Sequence, residues 1–411
     1  MMVPAAPAFA LADFADQAGE SRPGVWKEAP VWQCARTGVW VVESHALVKE
    51  VLADPAHYSS KTTLSMLQPD FPAAEVEAIY RSGGVLWTRT LQTNDPPAHR
   101  RFRALVERVF TPSRVEAMVP GIEAIVADLL AGWPEGEVVD VAEALSVALP
   151  LRVIAAQLAV ADDQLAALKR WSDSAIGAIG LGATREEHLV AAHCGVEFQQ
   201  FMLQRLREPA ELTPGTLVSL VAAAAAEEGF TEAEQLSLLH QLMIAGHETT
   251  TSTLSSALYC LATEPTLLER VHAEPMGVRH LVEDTLRLHA PVQGLFRVTT
   301  GPVSLDGHDL PSRAVLALRL ASANRDPARF SDNQLLSPTT SSAAHLSFGL
   351  GLHHCIGATL ARRELQVALS AVVARFARLE LAVPTEALEY TRSLMTRSLL
   401  RLPLAGTYRA P

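Results

Sequence analysis

The stretch Phe348-Gly349-Leu350-Gly351-Leu352-His353-His354-Cys355-Ile356-Gly357 constrains this chain more than any other. It sets one of only four cysteines among glycines and histidines, where a loop turns into a helical pattern carrying Leu365, Leu369, Val372 and Phe376 on one face. A thiolate is costly in apolar surroundings unless something stabilises it. A helix N-terminus does so, with unpaired N–H groups and a positive dipole end. Gly349, Gly351 and Gly357 remove side chains where a large flat ligand could approach the backbone. Cys355 therefore suits an axial thiolate ligand of haem iron. On the loop alone other readings stay open: a buried structural cysteine, a nucleophilic Cys–His pair, or a zinc site using His353, His354 and Cys355, for which no fourth ligand is evident.

The remaining cysteines, Cys34, Cys194 and Cys260, are far apart and form no CxxC pair. That pattern indicates neither a disulfide framework nor a zinc cluster, and a reducing cytoplasm is expected. Forty-five acidic against thirty-four basic residues give a net charge of −11, which argues against a nucleic-acid binder. The start, MMVPAAPAFALADFADQ, has no basic leader region and acquires acids early, unlike a signal peptide. No stretch approaches the ~20 apolar residues of a membrane span; the longest, Leu217 to Ala226, is interrupted by Ser219.

The pattern along the chain is helix-rich with a minor antiparallel sheet. Residues 31–42 read as a hairpin turning at Gly38, followed by a helix from Ser44 to Leu52. Residues 62–94 read as a long loop with one short helix. Apolar residues at threes and fours predict helices over Ala98–Met118, Ile122–Leu130, Asp162–Ile179, Arg185–Leu206 and Met276–His289. The longest, Thr231 to Cys260, opens with the capping pattern Thr231-Glu232-Ala233-Glu234. At about 30 residues it would run ~45 Å, enough to cross a domain. The period then changes: short strands are expected over 294–318, a helix over Cys355–Leu379, and closing strands over 379–405.

The loop, followed by Leu360-Ala361-Arg362 and Glu364, fits F-G-x-G-x-H-x-C-x-G-x-x-L-A-R at every fixed position. This string resembles the haem-binding signature of the cytochromes P450, the haem-thiolate monooxygenases. The resemblance runs along nearly the whole chain, in order. Asp95-Pro96-Pro97-Ala98-His99 with Arg103 is similar to the family's C helix. Ala245-Gly246-His247-Glu248-Thr249 is similar to its oxygen-binding helix, Glu283 to Arg287 to its ExxR helix, and Ala323-Asn324-Arg325-Asp326-Pro327 to the stretch after its third strand. One departure stands between Phe330 and His345. Soluble members usually carry a D-x-x-R-like pattern there, contacting the ExxR network, and the sequence SDNQLLSPTTSSAA lacks its basic residue.

The resemblance implies a single mostly α domain over residues 1–411 with minor β regions near 31–42, 294–318 and 379–405, and haem b as cofactor. Cys355 becomes the iron ligand, within a loop shaped by Phe348, Gly349 and Gly357. His99, Arg103, Arg297 and His353 become partners of the haem propionates. Ala245, with Gly246, leaves room over the haem, Thr249 handles dioxygen or its waters, and Glu248 relays protons. Glu283 and Arg287, one turn apart, become a buried structural pair. The implied reaction hydroxylates a hydrophobic small molecule with O2. Electrons come from a separate ferredoxin and its reductase, no flavin domain being fused. A monomer that binds neither membrane nor nucleic acid is expected. Substrate contacts should come from residues 62–94, Leu242 to Thr249, Val292 to Phe296 and Leu394 to Thr396. Arg100, Arg101, Arg362 and Arg363 are expected to form a basic docking patch. A haem-thiolate sensing protein and a peroxide-driven enzyme are the alternatives, both disfavoured by the presence of Glu248 and Thr249.

Overall fold

The computed structural model describes residues 29–34, 38–62, 71–179, 183–264, 266–330, 344–391 and 395–410. Strands β1 (Val31–Gln33) and β2 (Trp40–Val42) pair antiparallel, with Val31 opposite Val42, and Gly38 takes a φ of 70° between them. Helix α1 (His45–Ala53) follows, its Leu47 N–H capped by Ser44 Oγ at 3.2 Å. After β3 (Tyr58–Ser59), the short helix expected within 62–94 is α2 (Ala73–Gly83).

The single helix expected over Ala98–Met118 is two helices. α3 (Ala98–Glu107) stops, and α4 (Pro112–Ala131) restarts at a new cap, Thr111, with Pro112 in the first turn. Proline there lacks only an N–H that a helix start leaves unpaired anyway. The break expected near residue 120 does not occur, and Pro120 lies inside α4. Beyond β4 (Val139–Asp140), a π-turn over Ala142–Val147 leads into α5 (Ala148–Gln157), then α6 (Leu165–Ile179) and α7 (Arg185–Arg207). Helix α8 (Leu217–Glu228) covers the alanine-rich stretch.

Helix α9 (Glu232–Thr263) is 32 residues long and opens on the expected capping box: Thr231 N–H donates to Glu234 Oε2 at 2.9 Å, and Glu234 N–H to Thr231 Oγ1 at 3.3 Å. Its first half, Leu236 to Met243, belongs to an apolar core shared with α3, α7 and α8. Its last third, Leu254 to Leu261, belongs to a second core shared with α4 and the C-terminal elements. Between them lies the polar run from His247 to Thr253. A helix wrapped in apolar contacts at both ends holds that polar segment inside the protein.

Helices α10 (Leu267–Ala273) and α11 (Gly277–Leu288) precede strands β5 (Leu295–Thr299), β6 (Val303–Leu305), β7 (His308–Leu310) and β8 (Val315–Leu318). A five-stranded sheet has the order β1-β2-β8-β5-β3. Its β2–β8 pairing is parallel, the exception in an otherwise antiparallel region. After the four-residue α12 (Leu320–Ala323) comes the cysteine loop, and then α13 (Ala358–Arg375). It begins three residues after Cys355. Strand β9 (Phe376–Leu381) pairs with β10 (Pro403–Tyr408). The last strand runs past the expected limit of 405, to Tyr408, and Leu399 makes only an isolated bridge to Tyr390. No single described helix is long and apolar enough to cross a membrane.

Candidate functional site

On the middle of α9, Ala245 is accessible although Leu242, Met243 and His247 around it are buried, so this face borders an internal cleft. Gly246 points elsewhere. A Cβ there would meet Ile154 Cδ1 of α5 at 3.1 Å, so this glycine seats α9 against α5 and does not widen the cleft over Ala245. Thr249 Oγ1 donates to Ala245 O at 3.3 Å, on the accessible face, whereas Thr250 is 3 % exposed. His247 turns toward α6, its Nδ1 3.1 Å from Ser172 Oγ. Burial pushes this imidazole down to about 4. It pushes the neighbouring Glu248 carboxyl up to about 6, Asp173 adding to the rise and Lys169 opposing it. Asp173 and Lys169 pair with each other on α6. They also line a groove of about 730 Å³ between α6 and α7 that does not include Cys355.

The cysteine loop is held by its own backbone. Gly349 and Gly351 take φ of 65° and 67°, which side chains disfavour. A Cβ on Gly351 would lie 2.9 Å from Leu52 O at the end of α1, so the loop rests on that helix. These two glycines shape the turn; only Gly357, with nothing within 4 Å of a built Cβ, keeps space open. Cys355 N–H donates to Phe348 O at 2.8 Å. The sulfur is deep in the protein yet accessible, so it too opens onto internal space. Burial pushes its thiol up, while the Gly357 N–H and the charges of Arg103 and Arg362 favour the thiolate.

Four basic or imidazole groups converge from three elements. His99 of α3 and His353 of the loop stack edge to face with ring centres 4.5 Å apart. Arg103 reaches His354 O at 2.6 Å and Glu107 at 2.7 Å. Arg297 of β5 is buried, and burial pushes it down to about 10 against the pull of Asp95. His353 falls to about 3, through burial first and then the positive charge of Arg297 and His99. Two members escaped the sequence pattern. Ser60 Oγ bonds His353 Nε2 at 3.0 Å, and the Asp95 carboxylate accepts Ser59 Oγ at 2.5 Å and Ser60 N–H at 2.9 Å. Asp95 stands inside the quoted DPPAH motif, but nothing local marks Ser60.

This set could hold haem. Its two carboxylates need donors, and His99 Nδ1 is buried without a hydrogen-bond partner among the described residues, while Arg297 donates to the neighbouring Phe296 O. Its iron needs a soft ligand, and Cys355 is an accessible sulfur with a helix start behind it.

The Glu283–Arg287 pair takes a different form from the one expected. Arg362 holds both oxygens of Glu283, Nε–H to Oε1 at 2.6 Å and Nη2–H to Oε2 at 3.0 Å, and His345 Nε2 lies 3.2 Å from Oε2. Arg287 lies 3.6 Å from Asp284. Burial alone would raise the Glu283 carboxyl, but the bonds from His345 and Arg362 outweigh it and bring it down to about 2. The expected basic patch is correspondingly reduced: Arg101 pairs with Glu234, Arg362 with Glu283 and Arg363 with Glu116, while Arg100 stands exposed. Of the expected substrate stretches, residues 63–70 and Leu394 lie outside the described residues, as does the atypical segment 331–343. Two others come together: Gln293 N–H donates to Met395 O at 2.7 Å, and Val292 bridges Thr396.

A family model described as Cytochrome P450 matches residues 197–398. The cytochrome P450 monooxygenase PikC of Streptomyces venezuelae is 31% identical over 375 residues, covering 89% of this chain and 85% of its own. The 6-deoxyerythronolide B hydroxylase of Saccharopolyspora erythraea is 33% identical, with 76% of each chain covered. Among solved structures, cytochrome P450 CREJ in complex with (4-ethylphenyl) dihydrogen phosphate superimposes with a TM-score of 0.86 at 27% identity, covering 93% of this chain and 95% of its own.

Proposed function

Since the chain belongs to the cytochrome P450 family and is a monooxygenase with haem b as cofactor, we propose a role for each residue of its site and a class of substrate. Cys355 gives the iron its thiolate, and Phe348, Gly349 and Gly357 shape the loop that presents it. His99, Arg103, Arg297 and His353 receive the propionates. Thiolate-bound haem supplies activation of O2 and insertion of one oxygen atom into the substrate. The balance is substrate, O2, two electrons and two protons to hydroxylated substrate and water.

Ala245 keeps the α9 face low, so that substrate and O2 fit beside it. Thr249 Oγ1, bonded to Ala245 O at 3.3 Å, can rotate to donate into the cleft. Glu248, held near 6, can take up and give a proton close to neutral pH. Thr250 is buried on another face and takes no part.

The mostly apolar stretches 292–296 and 395–396 support a hydrophobic small molecule. So do two similar proteins, a 6-deoxyerythronolide B hydroxylase and a monooxygenase whose structure holds bound tirandamycin C. We read the chain as one domain, a cytoplasmic monomer served by a separate ferredoxin and its reductase. The presence of both Glu248 and Thr249 favours this over a sensing protein or a peroxide-driven enzyme.

The observation that carries the assignment is the accessible Cys355 sulfur close to a cluster in which His99 Nδ1 is buried with no hydrogen-bond partner among the described residues. Reduced protein treated with carbon monoxide should show the thiolate-type band that names the family, and Cys355→Ala should lose it. An unchanged band in the variant overturns the assignment.

A further inference from the structure

The segment 331–343 contains no basic residue, yet Glu283 is paired. Its partners flank the cysteine: His345, ten residues before it, with Nε2 3.2 Å from Oε2, and Arg362, seven residues after it on α13. Arg362 does more than neutralise Glu283. Its guanidinium lies 4.3 Å from the ring centre of Phe348, within range of a cation–π contact. Phe348 O in turn accepts the Cys355 N–H at 2.8 Å. One planar side chain thus bonds a buried carboxylate of α11 through two N–H groups and covers the aromatic residue that closes the cysteine turn. Lysine could not do both, since it has neither the fork nor the flat face.

We propose that Arg362 is a positioning residue for the cysteine loop. It is a strut from Glu283 to Phe348, and so belongs to the loop's support and not to a docking patch. The consequence for iron ligation rests on Cys355 being the ligand; the effect on the loop does not.

The test is hydrogen exchange in the haem-loaded full chain, read at the Cys355 amide or the peptide containing it. Arg362→Gln should speed exchange there by about tenfold, the effect of losing charge-assisted bonds. Arg362→Lys should recover only part of the protection. Phe348→Leu, which keeps the ion pair, should move exchange in the same direction by less. Arg363→Gln, next in sequence but paired with Glu116 at the surface, should match the parent. Parent-like exchange in Arg362→Gln, or equal acceleration in Arg363→Gln, overturns the proposal. If Arg362→Gln fails to fold, parent-like exchange in Phe348→Leu does so. The outcome separates from that of the ligand assignment: loss of the carbon monoxide band's dependence on Cys355 would sink that assignment and leave the exchange result standing.

Discussion

Glu248 and Glu283 are both carboxylates in polar spots of a mostly apolar interior, yet one is held near 6 and the other near 2. Burial pushes both upward. At Glu283 it is outweighed by a guanidinium fork and an imidazole within hydrogen-bond distance. At Glu248 the nearest influences are an aspartate and a lysine already paired with each other, so their fields largely cancel and desolvation wins. The cysteine side of the molecule therefore carries fixed charge, which suits a rigid support. The α9 side carries a proton that can be exchanged near neutral pH, which suits delivery. Partners, not burial, separate the two roles.

The largest expected effect tests the fixed charge. Replacing Glu283 by Gln would leave Arg362 and His345 short of a buried partner and cost about 3–5 kcal/mol in denaturant unfolding. The pH dependence carries a definite sign. A carboxyl whose folded value is depressed contributes stability that is complete above its unfolded value of 4.5 and is lost as pH falls toward about 2. That contribution is roughly 3 kcal/mol for Glu283. The parent should lose it across this window, and Glu283→Gln should show a correspondingly flatter acid limb. An identical acid limb in parent and variant would refute the fixed-charge half of the comparison.

The mobile proton is tested next. Thr249→Ala should keep electron consumption but lower product per NADH by about tenfold, with electrons diverted to hydrogen peroxide. Thr250→Ala, altering a buried hydroxyl on another face, should stay coupled. Uncoupling by Thr250→Ala in place of Thr249→Ala would mean that the register of α9 is wrong. A smaller effect sharpens the origin of the Glu248 value. Asp173→Asn should lower it and Lys169→Met should raise it, read from the carboxyl infrared band that vanishes in Glu248→Gln. Shifts of the same sign would show that these two side chains do not set it. The smallest effect belongs to the exposed Arg363–Glu116 pair: Arg363→Gln should change stability by no more than about 0.5 kcal/mol.

What could be read from the sequence was read from local patterns. The capping box at Thr231 and Glu234, the φ-demanding glycines beside Cys355 and the turn at Gly38 all express themselves within a few residues, because backbone conformation and helix starts are local matters. His99, Arg297 and His353 were legible only through their place in a longer motif order, and the structure does bring them together. The sequence predicts a single helix over 98–118 where there are two, because apolar spacing continues across residues 108–111, while the Thr111-Pro112 cap that divides it is a weaker signal than the periodicity.

By itself the sequence determined the thiol at a helix start, the long α9 and the acid–alcohol step on it, since each depends on spacing along one element. Tertiary structure decided the rest. It chose Arg362 over Arg287 as the holder of both Glu283 oxygens, brought Ser60 to His353 from 293 positions away, and turned Gly246 toward Ile154 instead of the cleft. It also set which carboxyl keeps its proton. A side chain's charge state and partner depend on what desolvates it and what lies within a few ångströms, and those neighbours arrive from distant segments that no local spacing records.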